Sequence, residues 1–366
     1  MQTIREIIVR CWVGIAIAGL ISATPSSKAQ TIGSTMDQSE AQAQKTWRET
    51  IRTIPPPAEG CYQASYPDPV WTKVNCVQAP HPTRVLKNGM TPNVSPLTNT
   101  PQTINGHNDY FLNTTGTISQ AIGSFPTVQG VTSETGNTGG QSVPNWYLLQ
   151  LNTNTSSAPP ACENYTGCFS WQQFMLSSNY VPQDSSQPVG ESEVFIQQWL
   201  ENYGDSSNGC PNGWEQDGQY PGGPGWECFK NSGATVVSNS PIPITNLASL
   251  QLTGNASING TDTAIVTYGS NAYSSSTPDS NTGIANSWNQ AEFNVLGNYE
   301  GSEATFNTGS SITVNLAIQE DGNTSMPTCK QGSSWWATTE SNSLNLLSSC
   351  TVSGGSMPSI QFTESN

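Results

Sequence analysis

From about residue 106 to the C-terminus the chain is cut into short β-prone runs by Gly, Pro, Asn and Ser, and this punctuation limits the fold more than any other feature. Runs at 108–113, 117–128, 145–152, 168–177, 193–203, 247–257, 262–270, 287–297, 311–318 and 358–363 read as strands. Some alternate with a period of two: SSITVNLAI (310–318) puts Ile312, Val314 and Leu316 on one face. Many short antiparallel strands over about 260 residues predict an all-β domain, a two-sheet antiparallel sandwich or jelly roll spanning residues 106–366. No internal repeat is visible. Ahead of it, residues 36–53 (MDQSEAQAQKTWRETIRT) carry good helix formers and no Gly or Pro, so a short N-terminal helix is expected there, stopped by Pro55-Pro56-Pro57.

The first 29 residues read as a secretory signal. Arg5 and Arg10 supply positive charge, Cys11 to Ala23 an apolar run, and Ser27-Lys28-Ala29 a cleavage site before Gln30. The apolar run is too short to span a membrane comfortably, so a secreted protein free of the membrane after cleavage is expected. Removal of Cys11 leaves eight cysteines, an even number suited to an oxidising compartment. Nearest-neighbour pairing gives Cys61–Cys76, Cys162–Cys168, Cys210–Cys228 and Cys329–Cys350, although spacing alone does not fix connectivity. There is no C-x-x-C, and His81 and His107 are the only histidines, so no metal site or cofactor is predicted. Glu201, Asp205, Glu215 and Asp217 form an acidic cluster, but without the spacing of a calcium loop it reads as a solvated patch.

Charge is distributed unevenly. Nine of the 11 Lys and Arg lie at or before Lys87; beyond it two basic residues face 20 acidic ones, a formal charge of −18. Such a domain repels itself at neutral pH and loses that repulsion as its carboxylates protonate, which suggests adaptation to acid. Nucleic-acid binding is excluded, because it needs Lys and Arg against phosphates. Disorder is excluded as well by 11 Trp, 11 Tyr and 9 Phe, which argue for a packed core. Residues 30–105 hold the helix, the segment between Cys61 and Cys76 and a Pro- and Asn-rich linker, with Lys45, Arg48 and Arg52 on the helix. This module is expected to be either a propeptide held on the acidic domain by charge and released in acid, or a permanent cap.

Two histidines leave Ser-His-Asp and Cys-His nucleophile systems with little material, and no G-x-S-x-G elbow appears. Carboxylates and carboxamides remain for acid–base work, and carboxyl groups titrate in the acid range.

In this light, the order of several segments resembles the eqolisins, secreted acid-acting glutamic peptidases with a concanavalin-like double sheet. NDYFLNTTGTISQAIGSFPTV (108–128) matches the family's opening strand–loop–strand, and Asn145-Trp146-Tyr147-Leu148-Leu149 its Trp-led strand. Ser170-Trp171-Gln172-Gln173-Phe174 takes the place of the strand bearing the catalytic glutamine. Gln198-Trp199-Leu200-Glu201-Asn202 resembles an "EWYP"-like run, and Asn289-Gln290-Ala291-Glu292-Phe293 the run with the catalytic glutamate. Ala304-Thr305-Phe306 and Ser311-Ile312-Thr313-Val314 follow in the family's order, so the likeness covers residues 106–318.

The resemblance implies an endopeptidase acting on polypeptides through a Gln172–Glu292 dyad. Glu292 would be general base and Gln172 the oxyanion donor. Gln173 is held in reserve, because neighbours on a strand face opposite ways. Trp146 and Trp199 would line the substrate groove. The chain departs from the family where Gln150 or a neighbour replaces an aspartate, Gln198 a glutamate, and Leu296 or Gly297 a second glutamate. Residues 204–245 look like an insertion. A monomer is expected, and the alternative to a peptidase is a non-catalytic sandwich that binds glycans on aromatic side chains or serves an adhesive or structural role.

Overall fold

A computed structural model describes residues 26–81 and 109–366, apart from 139–140, 158, 164, 181–189, 206, 221–222, 299–301, 321–325 and 332–339. Most of the expected leader, the linker after His81 and His107 therefore lie outside the described residues. The helix runs Ser26–Ile51, starting ahead of the predicted stretch and passing through the expected cleavage position. By compactness the chain divides into two units, residues 1–45 and 46–366.

The larger unit is a β-sandwich of two ten-stranded sheets. Across the back sheet the main path runs Thr72–Val74, Cys61–Ser65, Asn271–Pro278, Thr261–Tyr268, Leu250–Asn255, Ile118–Gln129, Ser311–Glu320, Ser359–Ser365 and Asn345–Leu346. The front sheet runs Glu215–Gln219, Trp226–Asn231, Ser192–Tyr203, Phe169–Ser178, Tyr147–Thr153, Gln290–Gly297, Tyr110–Asn113 and Thr328–Gln331. A small four-stranded sheet joins Ser341–Asn342, Glu303–Phe306, Glu134–Thr138 and Gln141–Pro144. The predicted runs recur as strands with shifted ends; 247–257 divides into a 3-10 turn, Ile244–Ser249, and the strand Leu250–Asn255. All four nearest-neighbour disulfides are present, as suits an oxidising environment.

Period-two alternation sets the core. Leu149, Leu151, Phe174, Leu176, Val194, Ile196, Phe293 and Val295 of the front sheet meet Phe125, Leu252, Val266, Ile312, Val314 and Leu316 of the back sheet. Close approach of the sheets is secured by glycine. A Cβ on Gly123 would lie 2.2 Å from the Phe293 ring, and one on Gly254 would lie 2.4 Å from that of Phe174. Each ring therefore rests directly on the backbone opposite it.

Residues 46–81 belong to the sandwich. Trp47, Ile51, Tyr62 and Trp71 cover Ile265 and Ala272 on the outer face of the back sheet. Cys61–Ser65 pairs with Asn271–Pro278 in register Cys61↔Ser275 to Ser65↔Asn271. Beyond Cys76 the segment reaches the front sheet, where Val77 and Ala79 pack on Leu148, Met175, Phe195 and Ala234. The Arg48 guanidinium donates to the Gly269 carbonyl and that of Arg52 to Gln251 Oε1, both neutral acceptors. Apolar burial and strand pairing attach this segment, so the charge-held module expected from the sequence does not describe residues 46–81.

Filling either glycine tests the packing. Gly254→Ala should lower stability by about 2 kcal/mol through overpacking against Phe174. The effect should appear as a shifted denaturant midpoint with an unchanged slope. Adding Phe174→Leu should recover part of the loss.

Candidate active site

The strand Gln290–Gly297 turns Ala291, Phe293 and Val295 into the core, so Glu292 lies on the outer face of the front sheet. Register then carries one row across the sheet. Glu292 is opposite Asn152, Asn152 opposite Gln173, Gln173 opposite Gln197, and Gln197 opposite Asn231. Residues directly opposite share a face and touch. On its other side Glu292 is opposite Phe111, and Phe111 is opposite the exposed Lys330.

Hydrogen bonds join the row. Asn152 Nδ2 donates to Glu292 Oε2 at 2.5 Å, and Gln173 Nε2 donates to Asn152 Oδ1 at 3.0 Å and to Gln150 Oε1 at 2.9 Å. Trp199 Nε1 donates to Gln173 Oε1 at 3.2 Å. Gln173 is thereby fixed with its carbonyl toward Trp199 and its amide toward Glu292. Trp199 stacks on Trp171 with ring centroids 5.8 Å apart and planes inclined by 8°, and it meets Phe229 at 5.5 Å. Glu292, Asn152, Gln173 and Trp199 are all buried.

Gln172 faces the other way. Its Nε2 donates to Asp262 Oδ2 of the back sheet at 2.9 Å, while its Oε1 accepts from Gln198 Nε2 and Thr282 Oγ1, each at 3.1 Å. It is a bridge between the sheets. Gln172 and Glu292, paired in the sequence reading, therefore lie on opposite faces of the front sheet, and Gln173 occupies the place beside Glu292. The reason is alternation: Phe174 and Leu176 enter the core, which fixes Gln172 inward and Gln173 outward.

Of the two tryptophans assigned to a groove, Trp199 contacts Gln173 and Trp146 stands apart. Trp146 is buried against Gly136 of the small sheet, six residues along the chain from Asn152 and so about 20 Å away at strand rise. The acidic cluster is dispersed. Glu201 Oε1 accepts from Trp171 Nε1, Asp205 accepts from Ser207, and Glu215 lies 3.6 Å from His81 Nδ1. Among the described residues no three His, Cys, Asp or Glu gather to hold a metal ion. Nor does any described helix have the length and apolarity to cross a membrane.

No protein-family model matches the chain, and no curated protein matches its sequence. The geometry carries the functional argument.

Asn152 was missed by motif reading, and Gln150 entered it only as the replacement of an aspartate, because carboxamides have no spacing signature. Parity alone places them: Leu149 and Leu151 go inward, so Gln150 and Asn152 go outward.

Several carboxyl groups are buried elsewhere. Burial pushes Glu134 up to about 8; burial and Glu191 do the same to Glu193, and burial and Asp109 to Glu364. Burial, reinforced by Asp279, raises Asp262 well above the usual carboxylate range. A group raised on folding contributes its stability below its unfolded value, and that contribution is lost as pH climbs through the folded value. The melting temperature should therefore be highest below about pH 4 and should fall as pH rises toward about 8. Glu364→Gln, which keeps the shape without the charge, should flatten that fall.

Proposed function

We propose that this chain is a secreted, acid-acting endopeptidase of the glutamic type, as the eqolisin resemblance implies, with Gln173 in the role first given to Gln172. The observation that supports this reading is the shared register row of Glu292 and Gln173, two strands apart and joined through Asn152. A carboxylate beside an oriented carboxamide is the minimum equipment for hydrolysing an amide without a nucleophilic side chain.

In this reading Glu292 takes a proton from water as the water oxygen attacks the peptide carbonyl. The carbonyl electrons move to oxygen, and an amide N–H meets the developing negative charge. Collapse of the tetrahedral intermediate restores the carbonyl and breaks the C–N bond, while the proton held by Glu292 passes to the departing amine. Both hydrogens of Gln173 are engaged, by Gln150 and Asn152. Substrate oxygen must therefore replace Gln150 Oε1 as the acceptor. The base must be ionised in a domain built to be stable in acid, so activity belongs on the acid side of neutrality.

A second reading, glycan binding, draws on Tyr165, Trp214 and Trp226. These half-buried rings surround Cys162–Cys168 and Cys210–Cys228. It is favoured by retention on insoluble polysaccharide without proteolysis.

The test is cleavage of an unfolded protein substrate from pH 2 to 7. Glu292→Gln should abolish cleavage, and Gln173→Ala should lower kcat by roughly a hundredfold, as for loss of one oxyanion donor. Gln172→Ala should lower the melting temperature instead, with kcat close to wild type at temperatures where it is folded. Equal activity of wild type and Glu292→Gln would end this reading.

A further inference from the structure

We infer that Asn152 is a positioning residue that sets both the orientation of Gln173 and the protonation of Glu292. The inference rests on the proposed role of those two groups. Asn152 stands between them in the register row, and its two ends do different work. Its Oδ1 accepts from Gln173 Nε2 at 3.0 Å, and its Nδ2 donates to Glu292 Oε2 at 2.5 Å. A carboxamide has one donor end and one acceptor end, so accepting from Gln173 leaves only N–H to present to Glu292.

The chain of bonds is directional. Trp199 Nε1–H points to Gln173, Gln173 N–H to Asn152, and Asn152 N–H to Glu292. Reversing any one amide would put two acceptors or two donors face to face. The donor tryptophan, fixed by its stack on Trp171, sets the direction of the whole series. Hydrogen bonds running one way also polarise one another.

An N–H given to a carboxylate favours its ionised form. Asn152 comes from the neighbouring strand, and on the opposite side Phe111 separates Glu292 from Lys330. Asp109 and Glu364 are both engaged by Asn294, two residues along the Glu292 strand. Asn152 donates directly to the Glu292 carboxylate and so bears on its charge.

The test compares Asn152→Asp, Asn152→Ala and Trp199→Phe by kcat and KM across pH. Asn152→Asp keeps size and an acceptor for Gln173 but sets a second carboxyl against Glu292, so the pair must share a proton. In both Asn152 variants kcat should fall about tenfold with KM little changed, and the acid limb should move up by about one pH unit. Trp199→Phe, which removes the N–H on Gln173 together with part of the ring stacked on Trp171, should lower kcat about tenfold and leave the acid limb in place. An unmoved acid limb in both Asn152 variants overturns the inference while leaving the Glu292 dyad standing. If the wild type hydrolyses nothing, carboxyl carbon NMR of Glu292 still decides. A higher titration midpoint in the near-isosteric Asn152→Asp supports the coupling although the peptidase reading has failed, and an unchanged midpoint overturns it.

Discussion

With two lysines to set against 20 acidic residues after Lys87, a carboxyl that folding buries must be met largely by neutral N–H groups or keep its proton. Both solutions are present. Asn152 donates to Glu292 and Trp171 to Glu201. Where such donors do not suffice, burial raises the carboxyl toward the protonated state, as at Glu134 and Glu193, and at Asp262 and Glu364 despite the amides of Gln172, Asn294 and Asn342. The abundance of Asn and Gln and the scarcity of Lys and Arg thus express one condition. Amides do in this interior much of what cations do elsewhere.

That condition also shapes the architecture. The apolar core holds the sheets face to face, and the glycines beneath Phe293 and Phe174 let them close. At one end the core gives way to a polar bridge, in which Gln172 reaches Asp262 across the gap and Gln198 accepts from Asn281 and Thr277. A single step along the same strand, from Gln172 to Gln173, separates the side chain that ties the sheets together from the one that stands beside Glu292.

The fold was legible where alternation was clean. Ile312, Val314 and Leu316 announced an inward face, and an even count of cysteines announced disulfides, although spacing left their nearest-neighbour pairing open. The candidate site was legible only in part. Glu292 and Trp199 were named, but the strand Phe169–Ser178 buries both faces, so Trp171 and Met175 look as much like core as Phe174 and Leu176 do. With no polar face, that run does not reveal which glutamine turns outward. Residues 46–81 misled for another reason. Their basic side chains suggested electrostatic docking, whereas Trp47 and Ile51, one helical turn apart, do the anchoring with Tyr62 and Trp71. Ser-rich Asn271–Pro278 carried little strand signal because its partners supply the pairing.

The pairing of Cys61–Ser65 with Asn271–Pro278 has a consequence for how these molecules tolerate company. A sheet edge with unpaired N–H and C=O groups invites another chain to dock on it. Here the chain supplies its own guard: one strand laid on the edge, a shorter one beyond it, and a disulfide from Cys61 to Cys76 that keeps the two together. A molecule trimmed past Ser65 would keep most of its core yet bare the ladder of Asn271–Pro278, and two such molecules would each offer the other the strand it had lost.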